Sequence, residues 1–248
     1  MFEWYWVFPF LLLVLHLRTA VITIYLHRGV AHRLIDFTPA ADQVFKFLLW
    51  VNKLYFANWR VMYAAQHRKH HACVDTADDP SSPHYYSFKQ ILDYNHNEPG
   101  RPYYLSPNDI KQYAARITTE QDWFDKNVYL KYQKWGILVY IFTMIGLFGI
   151  LGALVGLPLL YFILTDFYII VGNWVYHKWG YTAPGGQLGT DRSKNLFPLG
   201  ILFAGEEFHA NHHRYPGLVK FSLRWFEFDI GFVYIRLLEL VGLLRRNV

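Results

Sequence analysis

The stretch WYWVFPFLLLVLHLRTAVITIYLHRGVAH, residues 4–32, joins a long apolar run directly to two histidines. Residues 4–26 are long enough to cross about 30 Å of hydrocarbon, because a helix rises about 1.5 Å per residue. The run has neither a basic start nor a small-residue cleavage site, so it predicts a membrane anchor instead of a signal peptide. His27 and His32 then stand where the chain leaves the membrane.

Two further apolar runs follow in the second half of the chain. Residues 136–157 contain no charged side chain, and residues 158–177 contain one, Asp166. Pro158 lies between them and predicts a tight turn. We therefore expect three transmembrane helices, at about 4–26, 136–156 and 158–178, of which the last two form a hairpin over residues 135–178.

A fourth apolar segment, VFKFLLWVNKLYF at residues 44–56, is short and is interrupted by Lys46, Asn52 and Lys53. A short helix with charges on one face is typical of a helix that lies in the membrane surface. We predict such an interfacial helix at about residues 41–56, and not a fourth span.

Basic residues are concentrated after the first span and after the third. The positive-inside rule places both regions in the cytoplasm. Residues 27–134 and 179–248 then form one cytoplasmic helical cap, with the N-terminus outside and the C-terminus inside. The sequence thus predicts an all-α integral, multi-pass membrane protein with a single domain, residues 1–248.

The composition agrees with a membrane protein. Of the 248 residues 53% are hydrophobic and 17% are charged, well below the roughly 25% charged residues of soluble domains. This composition excludes a disordered chain or a nucleic-acid-binding tail. A single cysteine, Cys73, excludes an intramolecular disulfide framework. The net charge of +5 favours an anionic membrane surface or an acidic protein partner.

Histidines are the most informative residues. Nine of the twelve fall into four groups, HRGVAH, HRKHH, NWVYH and HANHH. From composition alone one HxxHH pattern is expected about 0.03 times, so two copies by chance are very improbable. The nine residues are His27, His32, His67, His70, His71, His177, His209, His212 and His213. The other three, His16, His84 and His96, are expected to be ordinary polar residues.

The spacing of these histidines predicts their directions. Helical residues i, i+3 and i+4 share a face, while adjacent residues lie about 100° apart. The last two histidines of each triplet can therefore reach two different metals. His27 and His32 lie about 140° apart on an ideal helix. Both can point inward only if the helix ends between them, and Gly29 offers a break.

All nine histidines can meet only on one side of the membrane. Three spans bring them together, whereas a fourth span at residues 41–56 would separate His27 from His67. Nine imidazoles are too many for one metal, so they predict two metals with four or five nitrogen ligands each. Imidazole suits iron, zinc, copper and nickel, and O₂ chemistry in a membrane site favours non-haem iron. Asn173 is a weak ligand and is expected to act through a water.

Other metal chemistries are less consistent with the pattern. A surface zinc or nickel trap is an alternative. A di-haem carrier needs facing histidines within the spans, but His27 and His177 lie at predicted helix ends. A membrane zinc protease needs H-E-x-x-H, which is absent from the sequence.

With these four boxes in this order, the chain resembles the membrane fatty acyl desaturases, most closely the stearoyl-CoA (delta-9) desaturase group. Asp79-Pro80 after HRKHH and Gly205-Glu206 before HANHH agree with the motifs of that family, as does the segment 221–242. The resemblance covers about residues 18–244.

The resemblance implies an O₂-dependent enzyme that inserts a cis double bond into a fatty acyl chain. Two Fe²⁺ ions would be held by the nine histidines, with Asn173 acting through a water, and zinc could replace iron in purified protein. The substrate would be a CoA, carrier-protein or lipid ester, and electrons would come from a separate carrier such as ferredoxin or cytochrome b5. A hydroxylase or acetylenase on the same scaffold, and a non-catalytic histidine-rich metal-binding membrane protein, are the alternatives.

Aromatic residues near the ligands are candidates for an acyl tunnel that excludes water from the metals. They are Tyr25, Trp50, Tyr63, Trp174 and Tyr176.

Two charges lie inside predicted spans. Arg18 and Asp166 are about 13 Å and 16 Å along their helices from His27 and His177. Charges in hydrocarbon are usually paired, so we expect these two to form an ion pair between the first and third spans.

Basic residues of the cap are candidates for binding partners. Arg101, Lys111 and Arg116 could meet a phosphate of the acyl carrier. A second set could dock an acidic electron carrier; its members are Lys220, Arg224, Arg236, Arg245 and Arg246.

Overall fold

A computed structural model of the chain describes residues 2–93, 99–196 and 199–247, with the side chain of Leu199 left out. The fold is mostly helical. Besides two long helices it contains shorter helices at Pro39–Val51, Trp59–Ala72, Phe88–Ile91, Pro107–Tyr113, His209–Arg214 and Ile230–Leu240. Two short strands, Ile35–Phe37 and Leu244–Arg246, pair antiparallel and join the C-terminal segment to the chain just after His32.

Two helices in the described part of the chain are long and apolar enough to cross a membrane, Trp4–Ala31 and Ile137–His177. The first is α-helical over Val7–Val21 and continues with wider π winding over Ile22–Ala31. The second is α-helical over Ile137–Phe162, except at Gly149, where the helix is interrupted. It continues with π winding at Ile163–Phe167 and Ile170–Trp174 and ends in a 3₁₀ turn at Val175–His177.

The predicted helix break at Gly29 is wrong. The π winding runs through Gly29, and the backbone N–H of His32 donates to the carbonyl of His27 over 3.0 Å. This i→i+5 bond places the two histidines about one wide turn apart, so both can point inward without a break. Gly29 serves packing instead, because a Cβ there would lie 2.6 Å from the Phe37 ring.

The predicted turn at Pro158 is also wrong, because Pro158 lies inside a helix. The chain turns at Gly149, whose φ of 71° and ψ of −178° leave the helical region. This conformation is essentially restricted to glycine. The two arms are therefore residues 137–148 and 150–177, and the predicted bounds of 136–156 and 158–178 are wrong. Pro158 is compatible with an apolar helix because neighbouring groups can satisfy the carbonyl that its missing N–H leaves free.

The two arms on either side of Gly149 pack antiparallel. A Cβ at Gly156 would lie 3.0 Å from Met144 Sδ, although these residues are twelve positions apart. The backbone N–H of Phe2 donates to the carbonyl of Leu147 over 2.7 Å. The N-terminal end of the first long helix and the Gly149 turn therefore lie together, far along both helices from His27 and His177.

The helix Pro39–Val51 overlaps the predicted interfacial segment, about residues 41–56. Thr38 caps it, with its hydroxyl accepting from the Ala41 N–H. Lys46 is buried, and its ammonium contacts Asp42, Asp122 and Asp125 at 2.9, 2.7 and 3.1 Å. The charge that predicted a surface helix thus points into the protein and holds this helix to the segment 122–125. The position of the helix in a membrane surface stays a prediction.

A buried ion pair joins the first long helix to the C-terminal segment. The side chains of Arg28 and Asp229 are both 0% exposed and lie 2.8 Å apart. Arg28 also donates to Thr23 and covers the Phe221 ring at 3.7 Å. Asp229 accepts from the backbone N–H groups of Phe221 and Phe232, so the carboxylate is well supplied with hydrogen bonds. Among the described residues Arg28 Nε has no hydrogen-bond partner.

Candidate metal centre

The structure brings all nine predicted histidines together at one end of the two long helices. They form two groups, and within each group one ligand atom per residue lies within 4.8 Å of all the others. The five-histidine group is His27, His32, His67, His71 and His212. The four-histidine group is His70, His177, His209 and His213.

Two short helices divide their histidines between the groups. Trp59–Ala72 contributes His67 and His71 to the first group and His70 to the second. His209–Arg214 contributes His212 to the first group, and its other two histidines to the second. This division follows the spacing of HxxHH, because adjacent residues of a helix diverge by about 100°.

The Nε2 atoms point toward one another within each group. In the five-histidine group the Nε2–Nε2 distances are 2.8 Å for His27–His212 and 2.7 Å for His32–His67. In the four-histidine group His177 and His209 are 3.0 Å apart. Two nitrogens bound at about 2.0–2.1 Å to one ion, at a right angle, would be about 2.9 Å apart. The donor set therefore fits two metal ions.

Carboxylates hold the opposite ring nitrogens of four histidines. His27 Nδ1 lies 2.7 Å from Glu206, and His70 Nδ1 lies 2.9 Å from Asp79. The other two pairs are His177–Asp75 at 3.0 Å and His213–Asp191 at 3.4 Å. An Nδ1–H that donates to a carboxylate leaves Nε2 free to bind a metal and orients the ring.

The sequence analysis did not assign these carboxylate roles. Asp79 and Glu206 entered only as parts of motifs, and Asp75 and Asp191 were missed. A usable signal exists, because a metal-bound imidazole usually donates its second N–H to an acceptor. Acidic residues near the histidine boxes were therefore the candidates to inspect.

The environment keeps most of these imidazoles neutral, which is the form that binds metals. Burial, with the neighbouring imidazoles, lowers the pKa well below its ordinary value for His67, His71, His209, His212 and His213. Burial alone would raise the pKa of Asp79. Its contact with His70 and two backbone N–H bonds outweigh burial, so the pKa lies below its ordinary value. Asp79 is therefore an ionised acceptor.

The other polar candidates lie around these groups. Asn173 donates to the Tyr103 hydroxyl over 2.9 Å, and its action through a water stays a prediction. His16 contacts Tyr234. His84 contacts the backbone carbonyl of His177 at 3.1 Å. His96 lies outside the described residues.

Two of the five tunnel candidates contact histidines. The Tyr63 ring stacks on His67 at 5.9 Å with an interplanar angle of 8°, and buried Tyr176 lies 5.3 Å from His209.

The other three candidates have different neighbours. Tyr25 stacks on Phe45. Trp50 donates its indole N–H to the carbonyl of Tyr132, and Trp174 packs on Phe88. A tunnel role for the five residues stays a prediction.

Arg18 and Asp166, the two charges predicted to lie within the membrane, each contact a group other than the predicted partner. Arg18 donates to the backbone carbonyl of Asn52, and Asp166 accepts from the Thr165 hydroxyl over 3.1 Å. The ion pair between Arg18 and Asp166 stays a prediction.

If Arg18 and Asp166 are paired, Asp166→Ala should lower thermal stability, because it leaves a buried guanidinium without its counter-charge. The measurement is the unfolding temperature of detergent-purified protein. Thr143→Ala, which removes a hydroxyl that donates to the Val139 carbonyl of its own helix, is the control. Equal unfolding temperatures for Asp166→Ala and the parent would contradict the pair.

Comparison with known proteins gives a consistent result. The family model described as fatty acid desaturase matches residues 3–234. An sn-1 stearoyl-lipid 9-desaturase of Anabaena variabilis is 30% identical over 90% of the chain and 76% of that protein. An icosanoyl-CoA 5-desaturase of Limnanthes douglasii is 27% identical over 98% of the chain and 65% of its own length.

A protein of Arabidopsis thaliana named as a probable chloroplastic lipid desaturase is 28% identical over 98% of the chain. The chain spans 63% of the length of that relative.

Proposed function

The chain belongs to the fatty acid desaturase family, and on this premise we propose that it is an O₂-dependent acyl desaturase with two iron ions. The convergence of nine histidines into groups of five and four carries the proposal. The relatives are named for action on stearoyl-lipid and icosanoyl-CoA substrates. We propose the same class of substrate here, a long fatty acyl chain bound through an ester or thioester.

The iron ions, when bound, would supply the oxidant that an unactivated C–H bond needs and that no side chain provides. The nine histidines would hold them. Glu206 and Asp79 orient His27 and His70 from behind, so that Nε2 faces the metal position. Tyr63 and Tyr176 cover His67 and His209 and would keep water away from the reacting methylene.

We propose that the chain makes three membrane passes with the histidines on the cytoplasmic side; the second pass, residues 137–148, is short at about 18 Å. Both long helices carry histidines at their C-terminal ends, His27 and His177. The N-terminus and the Gly149 turn lie together at the other end, which supports an N-terminus and a turn on the outer side. The basic residues of the two cap regions support the same orientation.

The proposed activity is tested by gas chromatography–mass spectrometry of total fatty acids from cells that express the chain. We expect a new monounsaturated acid with the intact chain and none with His70→Ala, which removes one histidine of the four-histidine group. The host must contain a reduced carrier that a known desaturase can use. A hydroxy or acetylenic product would show that the chain is a hydroxylase or an acetylenase. Unchanged lipids would favour a non-catalytic metal-binding protein.

We propose that an acidic electron carrier docks on the loop 215–228. This loop begins two residues after His213, and the centroid of its Phe221 ring lies 4.5 Å from that of the His212 ring. Trp225 on the loop is 94% exposed.

Three of the five predicted docking residues are already paired with carboxylates. Arg236 and Arg246 contact Glu239, and Arg245 contacts Asp36. Lys220 on the loop is exposed and forms none of the ion pairs found within residues 2–93, 99–196 and 199–247. Arg224, also on the loop, donates to the carbonyl of Thr182. Lys220 is therefore a cation of the docking set that no described carboxylate compensates.

Lys220→Gln should slow reduction by a reduced acidic carrier and flatten its dependence on ionic strength, because the variant lacks a steering charge. Stopped-flow reduction at graded salt concentrations measures both effects. Arg245→Gln is the matched control, since it removes a charge that Asp36 already compensates. Identical salt dependence for Lys220→Gln and the parent would contradict docking at this loop.

A further inference from the structure

The two histidine groups differ in the carboxylates behind them. In the four-histidine group three residues face an aspartate through Nδ1, namely His70 with Asp79, His177 with Asp75 and His213 with Asp191. In the five-histidine group the described ion pairs include only His27 with Glu206.

This difference gives the two positions unequal charge. Among the described residues, three carboxylates lie behind histidines of the four-histidine group and one lies behind a histidine of the five-histidine group. A divalent cation is therefore attracted more strongly to the four-histidine position, and the attraction is weakly screened because the groups are buried.

Two of the aspartates are also close to each other. Ligand atoms of Asp75, Asp191 and His177 lie within 4.8 Å of one another, and all three residues are buried. Two buried carboxylates repel each other when no cation is near. An ion at the four-histidine position would relieve this repulsion and would bind more tightly for that reason.

The burial of the histidine side chains also favours tighter retention at the four-histidine position. All members of the four-histidine group are buried, whereas His32, His67 and His71 of the other group are half-buried. Solvent and chelators therefore have a shorter path to the five-histidine position.

We propose that the two metal positions have unequal affinity: the four-histidine position takes the first divalent ion and retains it, and the five-histidine position fills second and exchanges readily. The inference rests on the proposed di-metal function and deepens it. The aspartates act as positioning residues, through the histidines that bind the ion.

The test uses the full chain in detergent, loaded anaerobically with Fe²⁺ and equilibrated with graded concentrations of a chelator. Metal content per chain is measured by mass spectrometry after gel filtration. We expect the iron to leave in two separate steps. Loss of both ions in one step would overturn the inference.

Two isosteric variants that each remove one negative charge identify the positions. In Asp75→Asn the amide oxygen can still accept from His177 and from the Arg192 N–H, and the amide nitrogen can donate to the Ser82 hydroxyl. Asp75 has a φ of 53°, which asparagine also adopts readily. In Glu206→Gln the same exchange is possible, with His27 on one side and the Tyr168 hydroxyl on the other.

Asp75→Asn should weaken the retained ion by about 10–100-fold, the usual effect of losing a partner behind a metal-bound histidine. Glu206→Gln should weaken only the ion that leaves first. Asp191→Asn, behind His213, replaces Asp75→Asn if the latter does not fold. Equal weakening of both ions by Asp75→Asn or Asp191→Asn, or release of the retained ion by Glu206→Gln, would overturn the inference.

The result is independent of product analysis. If the chain forms an unsaturated fatty acid but releases both ions together, only the inference of unequal metal affinity is overturned. A chain that releases iron in two steps and leaves lipids unchanged would overturn only the proposed function.

Discussion

Replacing His71 with alanine should lower the iron content of the loaded protein from about two ions per chain to about one and reduce product formation at least about 100-fold. His71 Nε2 lies 3.0 Å from His212 Nε2, and its ring also packs against His32 and His67 at 4.9 and 4.6 Å. Within the described residues no further histidine belongs to this group, so no other ring nitrogen takes over this ligand position. The proposed reaction uses both ions, so product should be lost together with one of them.

Metal analysis of purified protein and fatty-acid analysis of expressing cells measure the two effects. His16→Gln is the control, since His16 lies outside both groups and glutamine can keep its contact with Tyr234. Two ions per chain and full product after His71→Ala would contradict the five-histidine group as a metal position.

Replacing Arg28 with alanine should destabilise the fold by about 3–5 kcal/mol, the usual effect of removing one partner of a buried ion pair. The substitution leaves the carboxylate of Asp229 in a fully buried position without its counter-charge. The Phe221 ring also loses the guanidinium that covers it. The unfolding temperature of detergent-purified protein should fall strongly.

Two variants make this prediction specific. Arg245→Ala breaks a pair with Asp36 in which both side chains are mostly exposed, so it should change stability little. The double variant Arg28→Met, Asp229→Asn removes both charges and should be more stable than Arg28→Ala. An unfolding temperature for Arg28→Ala equal to that of the parent would show that the pair does not stabilise the fold.

The division of the histidines could be predicted from the sequence because it depends on local geometry. His70 and His71 are neighbours on one helix, so their directions follow from helical rotation alone. The carboxylates behind the rings could not be predicted in this way. Glu206 is 179 positions from His27, and Asp75 is 102 positions from His177, so tertiary packing decides which acid meets which ring.

The exact positions of turns and the winding of helices were not predictable from residue types. Glycines stand at residues 146, 149, 152 and 156, and only the packed hairpin shows that Gly149 adopts the glycine-specific conformation. Likewise, an ideal α-helix separates His27 from His32, and π winding brings them to one side. Such winding is often found at functional sites, but no residue type marks it.

Lys46 shows the same limit for a single charge. Its position in an apolar run suggests a side chain that reaches toward water. In the structure its ammonium contacts Asp122 and Asp125. These aspartates are too distant from Lys46 in sequence for the contacts to be inferred.

His27 and Arg28 are consecutive residues, and each holds a different part of the C-terminal region, His27 through Glu206 and Arg28 through Asp229. An ion bound at His27 therefore stabilises the same stretch of helix that anchors this region. By thermodynamic linkage, every tenfold excess of free metal over its dissociation constant adds about 1.4 kcal/mol to the stability of the folded chain. With iron bound as proposed, iron supply would act on the lifetime of the protein in the cell as well as on its turnover, because a less stable metal-free chain unfolds and is degraded more often.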